Sequence, residues 1–182
     1  PDLYDEARKE RIAITISSFA QLKNAMKKGR VARPLSVHIK IDTGMHRQGF
    51  QLHELRKLLD ELRKADKRLL SIEGVYTHFA EAKQPRSGQN TREQIAQFEL
   101  WRKTFLEEGY TPIFHASATG GTLLYPSAHY DMVRIGIGLY GLWPSKESRD
   151  FLEKKIELRP VLSWRAVIGE VKEVKSGERV GY

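Results

Sequence analysis

Short runs of β-branched and aliphatic residues alternate along the chain with longer stretches in which apolar residues recur every three to four positions. This alternation is typical of βαβ units that build a parallel sheet. Most of the short runs lack polar alternation, as expected for strands that are covered on both faces. The pattern predicts strands at residues 12–16, 36–42, 72–79, 113–116 and 132–137.

Three amphipathic helices are predicted between these strands. The first begins after Ser18, a residue type that caps helix N-termini. The second covers 51–66, where leucines recur at helical spacing and the charged residues face outward. The third opens near Thr91, buries its aromatic and aliphatic residues on one face, and ends at Gly109. All three have the pattern of ordinary crossover helices.

Polar or glycine-containing segments follow the predicted strands, an arrangement that resembles more than half of a (β/α)8 barrel. In such TIM barrels the functional residues lie at the carboxyl ends of the strands. We therefore expect an α/β fold that is part of a TIM barrel. Since eight strands close the barrel, the missing strands would precede Pro1. A doubly wound sheet is the alternative that the pattern alone leaves open.

The pattern changes after residue 144. A polar, charged stretch runs to Lys155, and alternating segments at 161–167 and 171–174 then predict antiparallel β-structure. We expect three parts, namely the carboxyl-terminal portion of the barrel at 1–145, a linker at 146–158, and the beginning of a carboxyl-terminal β-domain at 159–182. The chain starts without methionine and stops in an apparent strand, so a fragment that is incomplete at both ends is expected.

Composition narrows the class of protein. The 182 residues include 31 Lys and Arg against 23 Asp and Glu, and no cysteine. The lack of cysteine excludes a disulfide framework, a thiol nucleophile and an iron–sulfur cluster, and it fits a cytoplasmic protein. No apolar run approaches the roughly 20 residues that span a bilayer, so no membrane association is expected. The basic residues are mixed with glutamate on helix faces, which indicates a solvated surface rather than a nucleic-acid site.

Two histidines stand at equivalent places, His78 near the end of the third predicted strand and His115 near the end of the fourth. A single strand histidine is more often a hydrogen-bonded core residue than a catalytic one. Two at neighbouring strand ends favour an active site, because imidazole titrates near neutral pH. His38 lies mid-strand and is given no role. No cluster of histidines or carboxylates has the spacing of metal ligands, so no metal is expected.

The segment 40–50 is unusual, since a buried-type strand ends in Lys40 and Asp42 and then turns through two glycines that flank Arg47. Charges at a strand end are costly to bury unless they are paired. One interpretation is a structural salt bridge of Asp42 with Lys40 or Arg47. The other is a cation that the turn presents to an anionic ligand. Position alone does not separate the two.

A second glycine-rich segment, 116–122, follows the fourth strand and opens a short helical stretch. Hydroxyls and bare amides would converge there, and such a helix start binds phosphate well. Further glycines follow Arg134, and the late βα loops of barrels commonly form a phosphate site. Together the two segments indicate a phosphorylated ligand. Their spacing matches neither the P-loop nor the dinucleotide-binding pattern, so a nucleoside triphosphate or a dinucleotide is not expected.

Three motifs give the sequence a family resemblance. His-x-Lys-x-Asp-Thr-Gly-Met-x-Arg-x-Gly-Phe begins at His38, Tyr-Thr-His-Phe-Ala begins at Tyr76, and Val-Arg-x-Gly-Ile-x-Leu-Tyr-Gly begins at Val133. In order and spacing they resemble alanine racemases. The resemblance implies a fold-type III enzyme that depends on pyridoxal 5'-phosphate, with a (β/α)8 barrel followed by a β-domain. It also implies a head-to-tail homodimer whose active sites take residues from both subunits.

The activity that the resemblance implies is the interconversion of L- and D-alanine by a two-base mechanism, which supplies D-alanine for peptidoglycan. Two alternatives stay open: a serine or broad-specificity racemase of the same family, and a non-catalytic barrel protein that only binds pyridoxal phosphate. The family's cofactor-binding lysine has no counterpart here and would precede Pro1, so this chain alone is not expected to be active. His46 and Ala118 replace a glycine and an asparagine that are common in the family.

The resemblance assigns the surroundings of the cofactor residue by residue. Arg134 falls where the family places an arginine against the pyridine nitrogen. His115 matches the histidine that bonds this arginine, and His78 matches one beside the ring. Because a guanidinium does not give up a proton, the ring nitrogen would stay unprotonated and the ring would be a weaker electron sink. The phosphate would be held by one hydroxyl and two backbone amides, those of Thr119, Gly136 and Ile137.

The substrate side of the site is implied in the same way. Arg47 matches the arginine near the substrate carboxylate, and Lys40 matches a lysine that is carbamylated in some members and then anchors that arginine. Tyr182 aligns with the tyrosine that acts as one of the two acid/base groups, in the partner subunit's site. A hydrogen-bond chain from Tyr182 through His115 to Arg134 would ease loss of the phenolic proton.

Overall fold

The computed structural model describes residues 3–27, 32–85 and 88–181. Parallel strands form one sheet whose spatial order follows the chain order: β1 (Ile14–Ile16), β2 (Leu35–Lys40), β3 (Leu70–Tyr76), β4 (Ile113–Ala118) and β5 (Met132–Arg134). A doubly wound sheet reverses its strand order part of the way across. This order does not reverse, as in a (β/α)8 barrel. The predicted α/β fold, part of a TIM barrel, is confirmed.

The described helices precede, connect or follow the strands: α1 (Leu3–Glu10), α2 (Phe19–Ala25), α3 (Leu55–Lys64), α4 (Gln89–Glu107), α5 (Thr119–Leu124) and α6 (Lys146–Leu152). Short 3-10 helices are formed at Leu52–Glu54, Pro126–Ala128 and Ile137–Tyr140. Helices α2, α3 and α4 correspond to the three predicted crossover helices. The α4 helix begins two residues earlier than the prediction and ends before Gly109, whose φ of 80° is left-handed.

The core lies between the sheet and helices α2 to α4. All the leucines of α3 are buried, because leucines at helical spacing form one apolar stripe. The largest buried side chain is Trp101 of α4, which packs in the core with two phenylalanines of the same helix, Phe98 and Phe105. This apolar layer fixes the outer face of the sheet and leaves the opposite face for polar groups.

Strand β2 shows how the sheet divides its two faces. Successive side chains of a strand point to opposite sides. Leu35, Val37 and Ile39 belong to the core cluster on the helix side. The alternate residues, Ser36, His38 and Lys40, therefore lie on the inner side of the curved sheet. Two residues of the candidate site thus come from a single strand.

Helix α6 lies inside the stretch that the sequence predicts as a linker, 146–158. Ser145 caps this helix by accepting a hydrogen bond from the amide of Ser148, and the side chain of Ser148 accepts one from the amide of Ser145. Leu152 is buried. A reciprocal cap and one buried apolar side chain are enough to order a mainly polar sequence as a helix.

Residues 159–181 form no strand, although the alternation there predicts two. Their apolar side chains are exposed, with Trp164 at 91% and Val167 at 95%. A strand needs a hydrogen-bonded neighbour and a surface that covers its apolar face, and the described residues supply neither to this segment. The predicted strands at 161–167 and 171–174 are therefore wrong here, while the division into a barrel portion and a β-domain stays a prediction. None of the described helices is long and apolar enough to cross a membrane.

Candidate functional site

The carboxyl ends of β3, β4 and β5 meet around Arg134, the last residue of β5. Its Nη1 donates to Nδ1 of His115 at 2.6 Å. Its Nη2 donates to the carbonyl oxygens of Thr77 at 2.8 Å and Ala116 at 2.9 Å. Burial lowers the pKa of Arg134, but a guanidinium stays charged at neutral pH. The protein thus holds one half-buried cation in a fixed orientation.

His115 is buried and connects Arg134 to a residue of β2. Its Nε2 lies 2.9 Å from Nδ1 of His38. Its ring stacks on the ring of Tyr76, with centroids 4.8 Å apart and planes 3° apart. Burial, together with the charge of Arg134 and the neighbouring His38, lowers the pKa of His115 to about 3. The imidazole is therefore neutral at physiological pH.

His78 approaches the same arginine from the end of β3. Its Nδ1 lies 3.4 Å from Nη2 of Arg134. Burial, followed by the charges of Arg134, Arg47 and Lys40, lowers its pKa. In the described part of the chain, Nε2 of His78 has no hydrogen-bond partner. The structure therefore brings His78 and His115 to one guanidinium, as predicted, although β4 continues to Ala118 and His115 lies inside that strand rather than near its end.

In the hydrogen-bond chain expected from Tyr182 through His115 to Arg134, His115 has no unpaired nitrogen left to bond Tyr182. Both ring nitrogens of His115 are already paired, one with Arg134 and the other with His38. His78 is the imidazole that still offers a nitrogen at this site. Tyr182 itself lies outside the described residues.

The predicted phosphate segments place one hydroxyl among backbone amides. Thr119, the first residue of α5, is buried. Its Oγ1 accepts hydrogen bonds from the amides of Gly136 at 3.1 Å and Gly138 at 3.2 Å. Gly138 is thus a further amide donor at this place, and the assignment of the Ile137 amide to a phosphate stays a prediction. Since α5 has only six residues, the hydroxyl and the amides, rather than the helix start, are the groups here that could bind an anion.

A cavity of about 460 Å³ opens in front of these groups, a volume within the range of small-molecule sites. A Cβ on residue 136 would meet no atom within 4 Å, so the space beside that glycine is open. A Cβ on Gly120 would instead lie 2.2 Å from the carbonyl oxygen of Ala82, so the close packing of these two loops requires glycine there. The residues predicted to surround a cofactor all line the cavity: His78, Thr119, Arg134, Gly136 and Ile137.

Asp42 organises the loop after β2 through backbone amides rather than through a cation. Its Oδ1 accepts hydrogen bonds at 2.9 to 3.0 Å from three successive amides, those of Gly44, Met45 and His46. Nδ1 of the exposed His46 lies 3.7 Å from the other carboxylate oxygen, Oδ2. Neither Lys40 nor Arg47 pairs with Asp42 within the described ranges, so the salt-bridge interpretation is wrong.

Lys40 and Arg47 differ in exposure. Lys40 is buried, and its Nζ lies 3.4 Å from Oε1 of Gln48 and 5.6 Å from the ring centroid of Tyr76. Burial and the charges of Arg47 and Arg134 lower the pKa of Lys40. Arg47 is exposed and forms no hydrogen bond or ion pair with the residues that the structure describes. This geometry favours the other interpretation, a cation that the turn presents to an anionic ligand.

The fold and the site together define a barrel protein with a cation-lined cavity at the carboxyl ends of its parallel strands. Residues 1–144 match the family described as alanine racemase, N-terminal domain, and the chain belongs to that family. The assignment agrees with the resemblance carried by the three sequence motifs.

Relatives with known names agree with this assignment. An alanine racemase of Leptospira interrogans is 38% identical over 154 residues, which cover 80% of this chain and 38% of the relative. An alanine racemase of Staphylococcus carnosus is 34% identical over 184 residues, which cover all of this chain and 46% of the relative. The chain thus spans less than half the length of these relatives.

Solved structures share the fold. The alanine racemase from Streptomyces coelicolor A3(2) superposes with a TM-score of 0.76 at 30% identity, over 87% of this chain and 42% of that one. The alanine racemase from Bacillus anthracis with bound L-Ala-P gives a TM-score of 0.75 at 31% identity, over 88% and 42% of the two chains.

Proposed function

We propose that this cavity binds pyridoxal 5'-phosphate and that the complete protein is an alanine racemase, which interconverts L- and D-alanine. The observation that carries the proposal is Arg134, a guanidinium with fixed acceptors that lines a cavity beside a hydroxyl and glycine amides. The names of the relatives support the same activity. When bound, pyridoxal phosphate supplies an electron sink that acidifies the α-proton of an amino acid.

The donors around Thr119 fit the phosphate group of this cofactor. The amides of Gly136 and Gly138 already converge on a single oxygen, the Thr119 hydroxyl. A phosphate oxygen is a stronger acceptor than a hydroxyl because it is charged. The amides can therefore exchange their hydroxyl acceptor for a phosphate oxygen, and the hydroxyl can then donate to the same group. The open space beside Gly136 leaves room for this exchange.

Arg134 fits the pyridine nitrogen of the cofactor. A guanidinium has only donors, so it hydrogen-bonds to an unprotonated ring nitrogen and offers that nitrogen no proton. The two carbonyl acceptors and His115 keep the guanidinium from turning away. Arg134 thereby limits how far the ring withdraws electrons, which favours simple proton exchange over side reactions of the amino acid.

Arg47 is the group proposed to bind the substrate carboxylate. It is exposed, and it has no acceptor among the described residues that a carboxylate would have to displace. Lys40, whose pKa is lowered, has more of the neutral amine that reacts with carbon dioxide than an exposed lysine has. We propose that this amine is carbamylated, which would place a negative charge near the loop that carries Arg47.

Tyr182 is proposed as one of the two acid/base groups, acting in the partner subunit's site within a head-to-tail homodimer. His78 replaces His115 in the proposed hydrogen-bond chain, because Nε2 of His78 is unpaired in the described structure and His78 lines the cavity. Nδ1 of His78 faces Arg134, which only donates, so the proton of neutral His78 sits on Nε2 and can be donated to the phenolic oxygen of Tyr182. Together with the charge of Arg134 behind it, this hydrogen bond favours loss of the proton from the tyrosine. The proposed cellular role is cytoplasmic supply of D-alanine for peptidoglycan.

The proposal is tested with the full-length protein, pyridoxal phosphate and L-alanine in deuterium oxide. We expect D-alanine to form with deuterium at the α-carbon, and Tyr182→Phe to reduce turnover at least 100-fold while cofactor absorbance is unchanged. Tyr110→Phe, which alters a tyrosine at the opposite end of the sheet, is the matched control. Cofactor binding without racemisation would instead indicate a non-catalytic barrel protein, and a higher kcat/KM for serine would indicate a serine racemase.

A further inference from the structure

His38 contacts His115 across an intervening strand. The two histidines lie on β2 and β4, and β3 separates these strands. The spacing of neighbouring strands is about 4.8 Å, so the His38 side chain must pass over β3 to reach its partner. The residue of β3 opposite His38 is Gly74. A Cβ at that position would lie 2.2 Å from Nδ1 of His38, so the contact requires glycine.

An irregularity of the sheet puts the glycine in this place. Val37 pairs with Ile72, but the next residue, His38, pairs with Gly74. Strand β3 therefore carries one extra residue, Glu73, in a β-bulge. Without the bulge, His38 would stand opposite Glu73, and the path over β3 would not be open. Bulge and glycine together allow His38 of β2 to reach His115 of β4.

The proton positions in this chain follow from Arg134. The guanidinium only donates, so Nδ1 of His115 must accept from it and cannot carry a proton. The single proton of neutral His115 then sits on Nε2, which donates to Nδ1 of His38 across 2.9 Å. His38 must in turn carry its proton on Nε2. A protonated His115 would present an N–H to the N–H of Arg134, which the 2.6 Å contact excludes.

We propose that His38 is a positioning residue that holds His115 in the Nε2–H tautomer, the tautomer that can accept from Arg134, and that Gly74 is required for this contact. If His38 were absent, the buried Nε2–H of His115 would have no acceptor, and the Nδ1–H tautomer would become competitive. That tautomer would repel Arg134. The link from His38 to catalysis rests on the proposed function, whereas the tautomer assignment does not.

The tautomers are measured directly by ¹⁵N–¹H correlation spectra of the histidine rings in the full-length protein, assigned by single substitutions. We expect His38 and His115 to show a protonated Nε2 and an unprotonated Nδ1 at neutral pH. This measurement needs neither substrate nor turnover. A protonated Nδ1 on His115, or an imidazolium signal at neutral pH, would overturn the proposal in the wild-type protein alone.

Two substitutions of His38 separate positioning from packing. Asn places a carbonyl oxygen close to the position of Nδ1 and can accept from His115, whereas Leu fills the space and cannot. We expect H38L to give a mixed tautomer of His115 and about a tenfold loss of kcat, and H38N to restore both. Gly74→Ala should resemble H38L. The same pair of substitutions at the exposed His53 is the control and should change neither readout.

The outcomes distinguish this proposal from the proposed function. If H38L and H38N give the same His115 spectrum as the wild type, His38 does not position His115, whatever the enzyme does. If the tautomers respond as expected but no alanine is racemised by the wild type, the positioning stands and the proposed activity fails. If H38L does not fold, Gly74→Ala and the wild-type spectra still decide the assignment.

Discussion

The two arginines at the carboxyl end of the sheet are held in opposite ways. Arg134 is half-buried and donates to an imidazole and two carbonyl oxygens. Arg47 is exposed on a loop and has no partner among the described residues. The loop that carries Arg47 is held by Asp42, which accepts hydrogen bonds from three successive backbone amides. The Arg47 side chain takes no part in these hydrogen bonds.

The difference separates two tasks. A cation that must keep one orientation needs hydrogen-bond acceptors from the protein. These acceptors also keep water from binding the same N–H groups. A cation that must bind and release an anion cannot be saturated by the protein, because each protein acceptor would compete with the ligand. On this view Arg134 is preorganised for a resident group, and Arg47 is available to a group that comes and goes.

The largest effect is expected from Arg134→Leu. Racemisation should fall by on the order of 10³-fold, because a preorganised charge is lost. The free energy of unfolding should fall by about 2 kcal/mol, because two carbonyls and Nδ1 of His115 lose their donor. Steady-state kinetics and urea unfolding measure the two quantities. Arg134→Lys keeps the charge but not the fork of donors, and should recover only part of either. Full activity and an unchanged unfolding midpoint in the Leu variant would contradict this assignment.

Arg47→Leu should impair binding of the substrate carboxylate without affecting stability. We expect KM for alanine to rise by about 100-fold, because one charge-assisted contact to the carboxylate is lost. The unfolding midpoint should stay unchanged, since the wild-type side chain is exposed and forms no hydrogen bond or ion pair with the described residues. Arg47→Lys retains a point charge and should lie between the two. A destabilised Arg47→Leu protein with normal KM would show that this arginine is structural.

Much of the site could be predicted from the sequence, because its residues follow strands. Parallel strands end at one edge of a sheet, so the strand pattern favoured a meeting of His78 and His115. Arg134 was added to them by the family resemblance, because the predicted fifth strand ran to 137 whereas β5 ends at Arg134. The glycine-rich segments indicated an anion site for the same reason. These predictions need only the approximate position of each strand end. The hydrophobic pattern gave no more than that, since β3 ends at Tyr76 and β5 at Arg134, before the predicted ends at 79 and 137.

The role of His38 could not be predicted in this way. A histidine in mid-strand looks like a core residue, and its contact with His115 depends on a bulge and on the glycine of another strand. The hydrophobic pattern of a single strand does not predict its pairing register with a neighbouring strand. The partner of Asp42 was equally hidden, because charge alone suggested Lys40 or Arg47, whereas the loop geometry brought backbone amides to its carboxylate.

The histidines around Arg134 should make the free energy of unfolding sensitive to acid. His115 has a pKa of about 3 in the folded protein, far below its ordinary value, and burial lowers the pKa of His38 and His78 as well. The unfolded chain therefore binds more protons than the folded one below about pH 6.5, and stability is lost as the pH falls through that range. His115 alone should contribute a loss of about 2 kcal/mol between pH 7 and pH 5.

Urea unfolding at several pH values measures this loss. Changing His115 to Gln removes one of the three histidines, so the decline from pH 7 to pH 5 should become shallower without vanishing. Changing the exposed His53 to Gln is the control and should leave the slope as it is. An equally steep decline in the His115 variant would mean that this imidazole does not stay neutral in the folded state.

The smallest effect is expected in the loop of Arg47. His46 has a φ of 54°, in the left-handed region that costs an ordinary residue roughly 1 kcal/mol and glycine very little. His46→Gly should therefore raise the free energy of unfolding by about 1 kcal/mol, and His46→Ala, which keeps the Cβ, should not. Because the Arg47 side chain forms no hydrogen bond or ion pair with the described residues of the loop, relief of this strain should leave KM for alanine unchanged. Equal stability of the Gly and Ala variants would mean that the backbone of residue 46 carries no strain, and an altered KM would mean that loop conformation, in addition to charge, sets how Arg47 meets its ligand.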